Sequence, residues 1–345
     1  MALAAPILAL LVALVLGDLL ILAFGQSPAV VYRLLLEGTW GNPYGIGQVL
    51  YKATTLYCTG LAVALGMRAG LFNVGAESQL ALGGFCAALA GLWLPAASPF
   101  YLAVPLALAA AAVGGAAVGF LPGILKARFG SSEVIVSIML NFVVLAFLNW
   151  IVSAKLGVPE SLHTEPIRAA SIPRLAVLLP ATHGSAANLT VLLVPLLGLL
   201  AAIYLFRTRW GFETEAVGLQ AEAAEAAGIS AARIFVRTML ISGAVAGLGG
   251  SNFVLGYKRY YEDGFTGGAG FLGIAVALVG QSHPLGVALA AIFFATLSQG
   301  GLAVNALVPK QMVEVLMAAV ILIVAVATPE VRRLVARALS NGKGS

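Results

Sequence analysis

Charge is scarce in this chain. Asp, Glu, Lys and Arg make up 10% of its 345 residues while 61% are hydrophobic, whereas a soluble domain carries about 25% charged residues. A mean hydropathy of +1.00 on that background excludes an ordinary soluble fold and indicates an all-α integral membrane protein. The net charge of +5 comes from basic residues standing in ones and twos between apolar runs. That pattern suits topology-setting loops and argues against a nucleic-acid partner. Cysteine is nearly absent: Cys58 and Cys86 lie in apolar segments without a CxxC or histidine spacing, which argues against a disulfide framework or a zinc site. The histidines, His163, His183 and His283, follow no ligand spacing. The chain also lacks GxxxxGK[ST] to cradle phosphates, HExxH and a GxSxG elbow, so no catalytic constellation can be built from it. Gly268–Gly273 matches GxGxxG, but inside an apolar span with no preceding strand and no downstream acid. Close helix packing through small residues accounts for it, and for the GxxxG pairs Gly66/Gly70, Gly115/Gly119 and Gly243/Gly247.

What is present is a series of apolar runs near the roughly 20 residues a membrane helix needs. Reading them in order gives Ala4–Phe24 (a retained first helix, not a removed signal peptide), Val49–Gly66, an interrupted span over 70–94, Tyr101–Leu121 and Val134–Val152. Leu189–Phe206, Ile234–Leu255, Phe265–Gly280, Leu285–Leu302 and Met312–Ala327 follow. The expectation is a single polytopic domain over 1–345 with about ten transmembrane helices. Segment 26–47 is polar and aromatic, as an interfacial loop or short helix is. Residues 153–188 form the longest polar excursion and are expected outside the cytoplasm. Residues 207–233 read as a cytoplasmic amphipathic helix, and a weak excess of Lys and Arg places both termini on the cytoplasmic side. Ser132 is positioned to cap the helix that Glu133 opens.

Two stretches break the apolar pattern. Gly70–Gly84, GLFNVGAESQLALGG, puts Asn73, Glu77, Ser78 and Gln79 among glycines. An ionisable group at membrane depth costs roughly 2.5–3.5 kcal/mol on the mildest scale, and a broken helix is tolerated only where its backbone is buried or lines a cavity. Gly264–Gly280, GFTGGAGFLGIAVALVG, is a second Gly-broken segment, expected to run in the opposite direction. Paired broken segments in two pseudo-symmetric halves point to a substrate site between them. The pathway candidates are Asn73, Glu77, Gln79, Asn141, Asn149, Thr266 and Gln281, because amides and hydroxyls serve neutral polar solutes. Against this stands a plain cross-helix hydrogen bond for each amide, and for Glu77 a role in bracing the broken segment.

GLFNVGAESQLALGG, SSEVIVSIMLNFV, RWGFETEAVGLQAEAAEAAGIS and MLISGAVAGLGG together resemble the membrane permease of basic-membrane-protein-type nucleoside ABC importers, related to the ribose and simple-sugar permeases. The likeness runs from about Gly47 to Ala327, and the long polar insertion is similar to the longer of two paired permease types. Within it, AEAAEAAG at Ala221–Gly228 resembles the EAA–Gly loop that meets the ATPase in importer permeases, without the proline that often follows. The resemblance implies a transport subunit with no cofactor of its own, ATP and Mg being bound by a partner ATPase. It also implies a second permease, non-identical to this one, an extracytoplasmic substrate-binding protein, and the inner membrane of a prokaryote. By the same resemblance Glu222, Ala223, Ala224 and Gly228 are the coupling residues, Glu222 for a charged contact and Gly228 to end the helix. The alternatives are a ribose-type sugar permease, which the polar residues fit equally, and an ion-coupled secondary transporter, for which Asp18 and Glu77 are nearly the only ionisable groups within spans.

Overall fold

The computed structural model describes residues 15, 17–309, 311–319 and 321–322. Most of the expected first span, the end of Met312–Ala327 and the basic tail lie outside the described residues. Among those described there are helices and isolated bridges but no named strand. Six helical stretches are long and apolar enough to cross a membrane: Pro43–Arg68, Phe100–Phe129, Glu133–Leu156, Leu189–Arg207, Ala231–Tyr257 and Pro284–Ala303. A bent pair, Gly17–Ala23 (α1) and Pro28–Thr39 (α2), folds by 111° and makes a seventh if counted as one. The remaining helices are α3 (Pro43–Arg68), α4 (Ala76–Trp93), α5 (Phe100–Phe129), α6 (Glu133–Ile151), α7 (Leu193–Arg207), α8 (Arg209–Leu219), α9 (Ala221–Ala226), α10 (Ala231–Ser251), α11 (Ala269–Val279) and α12 (Pro284–Ala303).

Local chemistry explains several boundaries. α5 ends where Gly130 turns left-handed at φ 64°, with Lys126 and Arg128 in its last turn facing the negative helix end. Ser132 then accepts the Ile135 N–H at 3.4 Å and Glu133 occupies the first turn of α6, as the sequence predicts. α6 and α10 each run on into a π-helical turn, Val152–Leu156 and Asn252–Tyr257.

The chain divides into two compact units, Leu50–Ile292 and the two ends, Met1–Val49 with Phe293–Ser345. In the larger, α4, α5 and α10 meet through glycine. A Cβ on Gly115 would run into the Gly243 carbonyl and Gly247, one on Gly83 into Gly247, and one on Gly250 into Gly84. Small faces allow this backbone approach, and dispersion between the close-packed chains holds it. In the smaller unit Ile21, Val31, Leu35, Val304 and Val308 share an apolar cluster, and the Trp40 indole donates to the Thr296 hydroxyl at 3.2 Å.

Two expectations change. Phe265–Gly280 is not one span: α11 is 11 residues, about 16 Å at 1.5 Å per residue, roughly half of a 30 Å hydrocarbon layer. Residues 207–233 form two short helices and the start of a third, because the chain turns extended at Gln220. The excursion 153–188 is tied to the chain around 255–261 by backbone hydrogen bonds. Its Thr164, Ile167 and Ile172 N–H groups donate to the Tyr261, Arg259 and Leu255 carbonyls at 2.9, 2.6 and 3.0 Å. Ile167, Ala170 and Ile172 are buried with Phe85 and Tyr261.

Candidate translocation site

α3 stops at Arg68, and Gly70 takes φ +69°. The stretch 71–75 is non-helical before α4 begins at Ala76. Its bare backbone is satisfied by side chains. The Asn73 carboxamide donates to the Gln79 Oε1 at 2.8 Å and to the Ser242 hydroxyl at 2.7 Å. Its oxygen accepts the Gly75 N–H and the Gln79 amide, each at 3.0 Å, and the Ser242 hydroxyl donates to the Ala62 carbonyl at 2.6 Å. Asn141 takes the Ser78 N–H and hydroxyl at 3.2 and 2.6 Å and donates to the Val74 carbonyl at 3.0 Å. Asn73, Gln79 and Asn141 are all buried, so in this conformation the three amides brace the break.

Glu77, only 4% exposed, leaves its own segment. Its carboxylate accepts the Gly268 N–H at 3.0 Å and the Gly270 N–H at 2.6 Å, closing the N-terminus of α11. The first break therefore holds the second directly. Negative charge is favoured at that helix end by the macrodipole, and charge-assisted bonds of this kind are short and strong.

Of the other candidates, Thr266 lies two residues before Gly268 and is 8% exposed. Asn149 is elsewhere, donating to Asp263 at 2.7 Å near the excursion end. Gln281 follows α11 at φ +52°, next to Ser282, whose carbonyl accepts from Arg68 at 3.2 Å. The structure thus gathers Asn73, Glu77, Gln79, Asn141 and Thr266 about the meeting point of the breaks, and sets Asn149 and Gln281 at opposite ends.

Sequence reasoning missed a second buried network. Asn188 donates to Asn252 at 2.9 Å, Thr190 donates to both asparagine oxygens at 2.5 and 2.7 Å, and Asn252 reaches Thr55 at 2.9 Å. Ser251-Asn252 inside an apolar span was its only signal. Also missed was a run of rings, Tyr51–Tyr257–Phe253–Phe265–Tyr261–Phe85, with neighbouring centroids 4.9–5.9 Å apart. The π-helical turn that re-aims Phe253 and Tyr257 leaves no mark in hydropathy.

The α8–α9 pair sits on the first break. A Cβ on Gly218 would meet the Arg68 carbonyl, and Arg68 pairs with Glu215 at 3.1 Å. Ala69 and Leu71 are buried with Val217, Ala224, Ile234 and Met239. From the other side Glu133 accepts the Phe72 N–H at 3.3 Å and Lys126 at 2.6 Å. α9 ends in a Schellman motif: Gly228 takes φ +83°, its N–H donates to Glu225 at 2.9 Å, and the Ile229 N–H reaches Ala224 at 2.9 Å. Ala224 is buried, whereas Glu222, Ala223 and Gly228 are exposed. Between the helices runs a groove of about 490 Å3 lined in part by Phe212, Ala216, Leu219, Ala223 and Ala227. Phe212 and Leu219 are 67% and 82% exposed.

The family described as "Branched-chain amino acid transport system / permease component" matches residues 45–325. The chain belongs to this permease family. The guanosine ABC transporter permease protein NupP of Bacillus subtilis is 38% identical to the permease over 326 residues, 93% of this chain and 92% of that protein. The nucleoside ABC transporter permease protein NupB of Lactococcus lactis is 35% identical, with 93% and 90% covered. The glucose ABC transporter permease protein TsgB13 of Haloferax volcanii is also 35% identical, with 92% and 85% covered. No solved structure matches the chain. The permease is a membrane-spanning component of an ABC importer, a transport subunit and not an enzyme.

Proposed function

We propose that the permease forms the path for nucleosides in an ATP-driven importer and is worked from the cytoplasm by a separate ATPase that binds ATP and Mg. A substrate-binding protein delivers solute from outside, and a second, non-identical permease completes the membrane part. The chain crosses the inner membrane of a prokaryote about ten times, in two halves related by their broken segments. α4 follows the first break, the half-length α11 follows the second, and both termini are cytoplasmic.

The observation that carries this reading is the unbroken line of contacts from α8–α9 to the pathway. The α8–α9 groove faces outward with exposed Phe212 and Leu219. α8 rests on Arg68–Gly70 through Gly218. The strand of chain so gripped leads through Asn73 to Glu77, and Glu77 holds α11. An ATPase docked on Ala221–Gly228 that moves this lever reaches the point where the two breaks meet, which is the kind of rigid-body switch that alternates access. Nucleosides are favoured by the guanosine and nucleoside permeases at 38% and 35% identity. The glucose permease at 35% identity supports the second reading, a simple sugar.

The test is uptake of labelled guanosine, adenosine and ribose into proteoliposomes carrying the permease with its partner permease, ATPase and binding protein. Uptake of nucleosides that needs ATP and the binding protein is expected. Ribose uptake without nucleoside uptake would replace the first reading by the second. Uptake by the permease alone on a proton or sodium gradient would overturn both.

A further inference from the structure

Beside the meeting point of the two breaks lies a group of features that the coupling line does not use. Gly264, Gly267 and Gly268 take φ +74°, +53° and +82°, and beside each there is open space where a side chain would stand. Thr266, 8% exposed, lies among them, and its hydroxyl can both donate and accept. Next to this turn Phe253 and Phe265 stack at 4.9 Å with planes 27° apart. Phe265 is fixed: its ring tip lies where a Cβ on Gly84 would be, and Tyr261 meets it edge-on at 5.5 Å. Tyr257 is also committed, with the Arg174 guanidinium 4.8 Å over its ring and Tyr51 at 5.3 Å. Phe253 is partly exposed, as Tyr51, Tyr257 and Phe265 are. It lies in the π-helical turn Asn252–Tyr257, and such turns recur at functional sites because they re-aim side chains.

We propose that this turn and the second break form a seat for a planar heterocycle. The nucleobase stacks on Phe253, and the Thr266 hydroxyl, able to donate and accept, bonds the base edge or the ribose beside the bare main chain of 264–268. The inference rests on the nucleoside reading above and adds to it the group that tells a nucleoside from a sugar. A pyranose or pentose lacks the flat π face that ring stacking rewards, whereas every base has one. The seat is adjacent to the Glu77 contact on Gly268, so a base bound there lies at the hinge of the second break.

The experiment uses the assembled importer in proteoliposomes, with saturating guanosine-loaded binding protein. Phe253→Leu is expected to lower the maximal rate of guanosine uptake about tenfold, the scale of one lost base–aromatic stack, while Phe253→Tyr stays within twofold of wild type. Thr266→Val falls and Thr266→Ser recovers. Independently, 8-azidoguanosine photolysed on the wild-type importer is expected to mark peptides within 253–268, and unlabelled guanosine, but not ribose, protects them. Phe253→Leu at the wild-type rate overturns the seat, as does labelling confined to other segments; in either case wild-type nucleoside uptake leaves the transport reading standing. A wild type that moves ribose and not guanosine instead removes the nucleoside reading, and the seat with it.

Discussion

The Glu77 carboxylate lies 2.6 Å from the Gly270 N–H, and a methyl group at position 270 would strike the Glu77 backbone. Side chain and backbone of one break thus close on the bare backbone of the other. Glu77→Ala leaves two helix-end N–H groups unpaired, at about 1–3 kcal/mol for a buried orphan. The expected result is a lower melting temperature of the detergent-solubilised permease and loss of coupled uptake. Glu77→Gln, which keeps an acceptor, is expected to melt closer to wild type. A Glu77→Ala protein with unchanged melting and uptake would remove the contact from any role.

Gly270→Ala and Gly228→Ala separate packing from conformation. At 270 an added methyl meets the Glu77 main chain, and overpacking of this kind costs about 1–3 kcal/mol. At 228 there is open space, but φ is +83°, so the cost is a local left-handed strain of about 1 kcal/mol. Thermal unfolding should rank Gly270→Ala as the more harmful change. The reverse order would mean that the two breaks do not touch as described.

Glu222 is exposed on α9, so Glu222→Arg should leave folding and expression unchanged while weakening ATPase capture in a pull-down. Ala224 is buried against Ala69 and Leu71, and Ala224→Glu should destabilise the permease itself, at several kcal/mol for an unpaired buried charge. Undiminished ATPase association in Glu222→Arg would move the docking point off α9.

Asn141 and Asn149 share a helix and differ in fate. Asn141→Leu strands the Ser78 N–H and the Val74 carbonyl, leaving the Ser78 hydroxyl only the Gly75 carbonyl, so about 2–5 kcal/mol of stability should be lost. Asn149→Leu gives up one exposed bond to Asp263 and should change stability by no more than about 0.5 kcal/mol. Guanosine uptake should follow the same order.

Much of this is legible in the sequence. Composition identified the membrane class, and the polar residues of Gly70–Gly84 marked a real break, since charge and amides in an apolar chain are conspicuous. GxxxG at Gly115/Gly119 and Gly243/Gly247 announced close packing, and those glycines face one another. Hydropathy failed where length and path matter. It drew Phe265–Gly280 as a span, because Gly264–Gly268 carries no charge to interrupt the apolar run of α11 and only three left-handed glycines separate loop from helix. It also gave no hint that Glu77 reaches 193 residues along the chain to Gly270, nor that a π-helical turn redirects Phe253. Asn73, Gln79 and Asn141 were found by their polarity alone, which could not reveal that each would be fully engaged with its neighbours.

The glycine faces of α4, α5 and α10 have a mechanical meaning. With no side chains between them, Gly115, Gly243 and Gly247 interlock main chain to main chain, and such a joint has no soft layer in which to slip. In the proposed importer cycle these three helices are the stator, and α8, α9 and the half-length α11 the moving parts. Spin labels paired across α5 and α10 should therefore report one fixed distance through the ATP cycle, while a pair joining α4 to α11 reports two; a changing α5–α10 distance would show that the stator is not one.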